Sequence, residues 1–199
     1  MSKYLSIDTE ATGLEEKTHL IQIALVPVDA ADTKVWEELA TETLVACPSF
    51  EDLKPTLNPW VIEHNERLIR DASANGIAPS ALRRYVSDYL ERPRVKAFFG
   101  GERPVLLGKS LSALDIPLIT RYLGHDFMQE RFHHHTLDVT CVAKAFVDVG
   151  VLPPGFASTS KIIKHFGIRE DARHTALSDA IDVANVYFKL LELASRARQ

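Results

Sequence analysis

The sequence predicts an α/β fold in which a mixed sheet, three antiparallel strands followed by parallel ones, is flanked by helices. Residues 3–9, 20–28 and 34–46 are rich in Leu, Ile, Val and Thr and are separated by turn-like stretches at Thr12-Gly13 and at 29–32, the pattern of an antiparallel meander. Val105 to Leu107 and Thr136 to Val139 then form short apolar runs, each followed by a helical pattern over 116–123 and 140–149. A strand that feeds a helix and returns to the sheet lies parallel to its neighbour. From Ser160 the helical pattern resumes and continues to the C-terminus.

Between the two strand groups, Asn58-Pro59 opens a helix through about Arg70, and Ser80 is placed to cap another over 81–91. Pro153-Pro154-Gly155 is the sharpest break, but helical periodicity resumes beyond it, so it reads as a loop within one domain spanning 1–199. At 199 residues the chain suits one domain with a real core. A mean hydropathy of −0.06 and the lack of an apolar run near the length of a bilayer span exclude a membrane protein of the helical kind. The opening MSKYLSIDTE has no secretory signal pattern, and Cys47 and Cys141 are far apart with no metal-ligand spacing; a cytoplasmic protein with small buried thiols is expected. A net charge of −4 argues against coating long nucleic acid, and leaves room for gripping an end.

The acids carry the chemistry. Asp8 and Glu10 alternate onto one face of the first strand with α-carbons about 6 to 7 Å apart, and burial of either costs several kcal/mol unless a cation compensates. Fraying of the strand end, with both acids solvated, is the plainer alternative for this pair. Asp115, followed by Ile116 and Pro117, is placed to cap a helix, which also holds a carboxylate rigidly enough to ligate a metal. Asp179 heads a row with Val183, Val186 and Leu190, while the polar stripe of that helix is Ser178, Asp182, Asn185, Lys189 and Glu192. An acid on the apolar side protonates unless a metal or a base sits opposite it, and a neutral or hydrogen-bonded core Asp is the plainer alternative. His174 is five residues before Asp179 and would face away from it on a continuous helix; Thr175 as N-cap leaves His174 in the preceding loop, able to swing over the site, although taken alone it reads more plainly as a solvated loop histidine.

Taken together, "IDTEATGL" (Asp8, Glu10), "GKSLSALDIPLI" (Asp115) and "HTALSDA" (His174, Asp179) resemble, in order and over nearly the whole chain, the DEDDh group of 3′→5′ exonucleases. These are relatives of replicative proofreading subunits, RNase T and oligoribonuclease, with a ribonuclease-H-like fold. The resemblance implies that Asp8, Glu10, Asp115 and Asp179 hold two Mg²⁺ or Mn²⁺ ions about 4 Å apart, whose charge makes the acids tolerate one another. It implies His174 as the general base that takes a proton from the attacking water, and 5′-mononucleotides as product. Thr12, Gly13 and Leu14 are expected to meet the terminal nucleotide, with Leu14 against the base. The middle motif departs from the family around Ser110, where an Asn is common, and at Leu114, where Phe is common. Gln22 stands where many relatives carry Glu.

The partner so implied is a single-stranded 3′ end, RNA or DNA, since no contact to a 2′-hydroxyl can be assigned. Family members are often dimers, and a homodimer is the corresponding expectation, although no stripe of the sequence marks an interface. A catalytically silent relative serving as a nucleic-acid-binding or assembly module is the alternative, and an endonuclease of the same broad fold is a second. His133-His134-His135 reads as a surface or sheet-edge run, because consecutive residues of a strand alternate faces and no Cys is near. Lys161, Lys164 and Arg173 read as a solvated basic face, and Trp60 as core packing in preference to a stacking platform.

Overall fold

A computed structural model describes residues 2–15, 17–156, 158–168 and 175–196. Strands β1 (Lys3–Ala11) and β2 (Leu20–Asp29) form the longest pairing, antiparallel from Lys3↔Asp29 to Glu10↔Gln22 with an irregularity at Glu10/Ala11. The segment expected to be one strand over 34–46 is instead β3 (Lys34–Val35) and β4 (Thr41–Leu44), both on β2 and separated by a 3-10 turn at Glu37–Leu39. The consecutive Glu37-Glu38 favours a solvated turn over a place in the sheet at that point.

Helices α1 (Phe50–Leu53) and α2 (Pro59–Asn75) follow, α2 opened by Asn58, whose side chain accepts the Trp60 N–H at 2.9 Å. Ser80 does not cap a helix; it lies in a 3-10 turn, Pro79–Ala81, that runs directly into α3 (Leu82–Leu90), where no side chain caps the start. Next come α4 (Pro93–Phe98), β5 (Val105–Gly108), α5 (Asp115–Leu123) and α6 (His125–Arg131), then β6 (Thr136–Asp138) and α7 (Val139–Asp148). Last are α8 (Thr159–Phe166) and α9 (Ala176–Arg196).

The sheet order is β3-β2-β1-β5-β6, with β4 also on β2; β1, β5 and β6 are mutually parallel. This is the expected mixed sheet, antiparallel first and parallel afterwards. All of β2 is buried, because both sheet faces are covered. On one face Leu5, Ile7, Ile23, Leu25 and Leu106 pack with α3, α5 and α6; on the other Ala24, Val26, Val28 and Leu107 pack with α7, α8 and the long α9. Each fully buried Leu or Ile stabilises this sandwich by about 1.5 to 3 kcal/mol. Helix α9 is stitched down by the Ser6 hydroxyl, which donates to the Ala180 carbonyl at 2.7 Å. No helix among the described residues is long and apolar enough to cross a membrane. Of the two thiols, Cys47 is half-buried and Cys141 exposed, so the expectation of two buried cysteines is corrected.

Candidate active site

The carboxyl end of β1, the start of α5 and the first turn of α9 converge. Ligand oxygens of Asp8, Glu10 and Asp179 lie within 4.8 Å of one another. Asp115 joins them electrostatically: its charge acts on both Asp8 and Glu10, and it is 5% exposed. Burial, followed by repulsion from Asp115, Asp179 and Glu10, raises the Asp8 carboxyl well above the ordinary range. Burial and then Asp179 push Glu10 up to about 7, and burial pushes Asp115 up to about 6. Such crowding persists in a folded protein when something positive completes the site. The Lys109 ammonium opposes these shifts at Asp8, Glu10 and Asp115.

Asp115 is not the cap of α5 but its first residue; Leu114 precedes the helix and offers no cap. The turn before it supplies the early hydrogen bonds instead, with the Leu114 N–H on the Ser110 carbonyl (3.1 Å) and the Ile116 N–H on the Leu111 carbonyl (2.9 Å). That leaves the carboxylate free of capping duty, and it accepts the Thr9 hydroxyl at 2.7 Å. Thr9, between the two acids of β1, is a positioning residue that the sequence reading missed. Asn65 of α2 is another: its side-chain amide hydrogen-bonds Glu10 and donates to the Ala11 carbonyl at 3.4 Å. Both could be suspected from sequence only as polar residues at otherwise buried positions.

At α9, Thr175 is the expected N-cap. Its hydroxyl oxygen accepts the Ser178 N–H (3.2 Å), and its own N–H donates to the Ser178 hydroxyl (3.3 Å), a reciprocal capping pair. Gln22 contributes a further tie: its side-chain oxygen accepts the Ala176 N–H at 3.0 Å while its amide donates to Glu42 at 3.1 Å. Gln22, opposite Glu10 in the β1–β2 pairing, therefore fastens the helix bearing Asp179 to the sheet. Val183, Val186 and Leu190 are buried as expected, but Asp182 is buried as well and does not belong to the solvated stripe. His174, the expected general base, and Arg173 lie outside the described residues.

Beyond β1, the Thr12 side chain accepts the His19 N–H (2.8 Å) and the Thr12 N–H donates to the His19 carbonyl (2.9 Å), closing the 12–19 loop. At Gly13 a Cβ would come within 2.9 Å of the Thr18 hydroxyl, so any larger residue would make the Thr18 side chain shift. Leu14 is 83% exposed at the tip. Trp60 is not core: it is 52% exposed, with its ring stacked on His64 at 4.3 Å between centroids. It lies on α2, the helix that brings Asn65 to Glu10. The three consecutive histidines lie before β6, not on it, so strand alternation does not separate them. Their rings gather to within 4.8 Å, and Nδ1 of His133 accepts the His135 N–H.

Four acidic oxygen donors with no thiolate are a hard donor set that fits Mg²⁺ or Mn²⁺. A family model described as Exonuclease, of the RNase T type, matches residues 5–187, and the chain belongs to that exonuclease family. Comparison with curated proteins finds no match. Among solved structures, cell-death related nuclease 4 superimposes with a TM-score of 0.72 at 15% identity, covering 97% of this chain and 64% of that one. The nuclease domain of 3′hExo, a DEDDh family member bound to rAMP, gives 0.63 at 15% identity over 96% and 92% of the two chains. E. coli Exonuclease I in complex with a dT13 oligonucleotide gives 0.72 at 15% identity over 99% and 42%. At this identity the likeness establishes a ribonuclease-H-like fold, and the chain spans just under two thirds of the length of cell-death related nuclease 4.

Proposed function

We propose that the chain is a metal-dependent 3′→5′ exonuclease of the DEDDh type, releasing 5′-mononucleotides from single-stranded RNA or DNA. The supporting observation is the gathering of Asp8, Glu10 and Asp179, whose ligand oxygens lie within 4.8 Å of one another, with buried Asp115 close enough to act on Asp8 and Glu10. These four would hold two divalent cations, which supply Lewis-acid stabilisation of the attacking and leaving oxygens. Thr9 orients Asp115, Asn65 orients Glu10, and Gln22 with Thr175 fixes the first turn of α9 and hence Asp179. His174 would take the proton of the attacking water. Exposed Leu14 and the Trp60–His64 stack give apolar and aromatic surfaces for the terminal bases, each such stack contributing about 1 to 3 kcal/mol.

Strands labelled at the 3′ or the 5′ end, incubated with Mg²⁺, Mn²⁺ or EDTA, test the reading. Loss of single nucleotides from the 3′ end, abolished by EDTA and by Asp8→Ala, is the expected result. Internal fragments or cleavage of circles would indicate an endonuclease, and binding without cleavage a silent relative.

A further inference from the structure

The turn that follows β5 carries a cation into the acidic cluster. Parallel pairing of β1 with β5 runs from Tyr4↔Val105 to Ser6↔Leu107, and β5 ends at Gly108, so Lys109 opens the turn just beyond the paired segment. A Cβ on Gly108 would lie 2.3 Å from the Leu111 side chain and 3.3 Å from the Ile7 carbonyl, so glycine lets the two strands and the turn close on one another. Along β5, Leu106 packs on one side of the sheet and Leu107 on the side of α9; Lys109 follows in the turn, close enough for its charge to act on Asp8, Glu10 and Asp115.

The next residue, Ser110, holds a left-handed backbone at φ 55, a conformation that costs a non-glycine residue about 1 kcal/mol or more. The turn is nevertheless locked: the Ala113 and Leu114 N–H groups both donate to the Ser110 carbonyl, and the Leu111 N–H donates to Asp138 at 3.0 Å. Strain maintained this way fixes where Lys109 leaves the sheet. Its side chain is half-buried, and among the described residues it makes no hydrogen bond or ion pair, although three carboxylates feel its charge.

We infer that Lys109 is a further catalytic residue, its ammonium contacting a non-bridging oxygen of the phosphodiester being cut. The inference rests on the exonuclease reading. Two divalent cations would offset four carboxylates, and the Lys109 ammonium would then be available for the charge of the phosphodiester. That charge grows as the attacking oxygen adds, and a fixed ammonium in a desolvated site stabilises it without giving up a proton. The lack of an ion pair to the acids favours this role over one of simply balancing them.

Lys109→Met keeps the aliphatic stem and removes the charge; Lys109→Arg restores a charge. Binding of a fluorescein-labelled single-stranded oligonucleotide is measured with Ca²⁺, a hard cation suited to the same donors, at increasing salt, with strand integrity checked on gels. Turnover is measured separately with Mn²⁺. The expected result for Lys109→Met is a salt dependence shallower by about 0.7 in log–log slope, and turnover down about 100-fold. Lys109→Arg is expected to recover the slope and part of the rate. An active wild type whose Lys109→Met variant keeps the full slope, with only its Mn²⁺ affinity or pH profile moved, overturns the phosphate contact and leaves the nuclease reading standing. A wild type that cuts no strand under any metal overturns both.

Discussion

Raising the pH of the metal-free protein from about 5 to about 8 is expected to destabilise it, because its acids are better proton binders folded than unfolded. Burial and the Asp179 charge lift Glu10 from 4.5 to about 7, and burial lifts Asp115 from 3.8 to about 6. With raised folded-state values, the folded chain holds protons that the unfolded chain has already released, so stability drains away as pH climbs through these values and levels off above about 7. Over that interval Glu10 accounts for about 2.5 kcal/mol and Asp115 for about 1.5 kcal/mol at 1.36 kcal/mol per pH unit. Asp8 acts in the same direction, and because the groups repel one another the sum is expected at about 3 to 4 kcal/mol. Urea unfolding in EDTA at several pH values measures this. Saturating Mn²⁺ should remove or invert the slope, since cation and proton compete for the same oxygens. Glu10→Gln should shrink it. A metal-free stability that is flat or rises over the interval would refute the account of a desolvated, mutually repelling cluster.

Thr9→Val removes the hydroxyl that Asp115 accepts; activity is expected to fall about 10-fold with little change in melting temperature, checked by initial rates and calorimetry. Gln22→Leu leaves the buried Ala176 N–H and Glu42 without their partner and should cost about 1 to 3 kcal/mol, read from denaturant midpoints at constant m. Trp60→Ala is expected to weaken strand binding by about 1 to 3 kcal/mol while cleavage at saturating strand is retained, which separates a base platform from a packing role. His174→Ala should depress turnover far more than Mn²⁺ affinity; calorimetric titration showing a large affinity loss would reassign it as a ligand.

The site acids could be found in the sequence because each breaks a pattern: two acids on one strand face, one amid the apolar run after Lys109, one heading the row Val183, Val186 and Leu190. The parallel strands were legible from short apolar runs feeding helices. The break between β3 and β4 was not, because Thr, Val and Leu continue on both sides of the turn and propensity alone does not register it. Asp182 misled for a related reason. Its spacing matches the solvated stripe, but it is buried, and helical periodicity says nothing about how wide the covered arc of α9 is. Trp60 misled in the opposite sense, being a large aromatic left at the surface beside His64. Thr9, Asn65 and Gln22 act through partners far along the chain, and no local signal announces such pairings.

The hydrogen bond from Ser6 to Ala180 joins residues 174 positions apart, and the tie from Gln22 to Ala176 spans 154. The helix that completes the surroundings of Asp8 and Glu10 is thus held to their strands by ties between distant stretches of the chain. Contacts this distant form late and slowly. The grouping of Asp8 and Glu10 with Asp179 is therefore complete only once these distant stretches of chain have met.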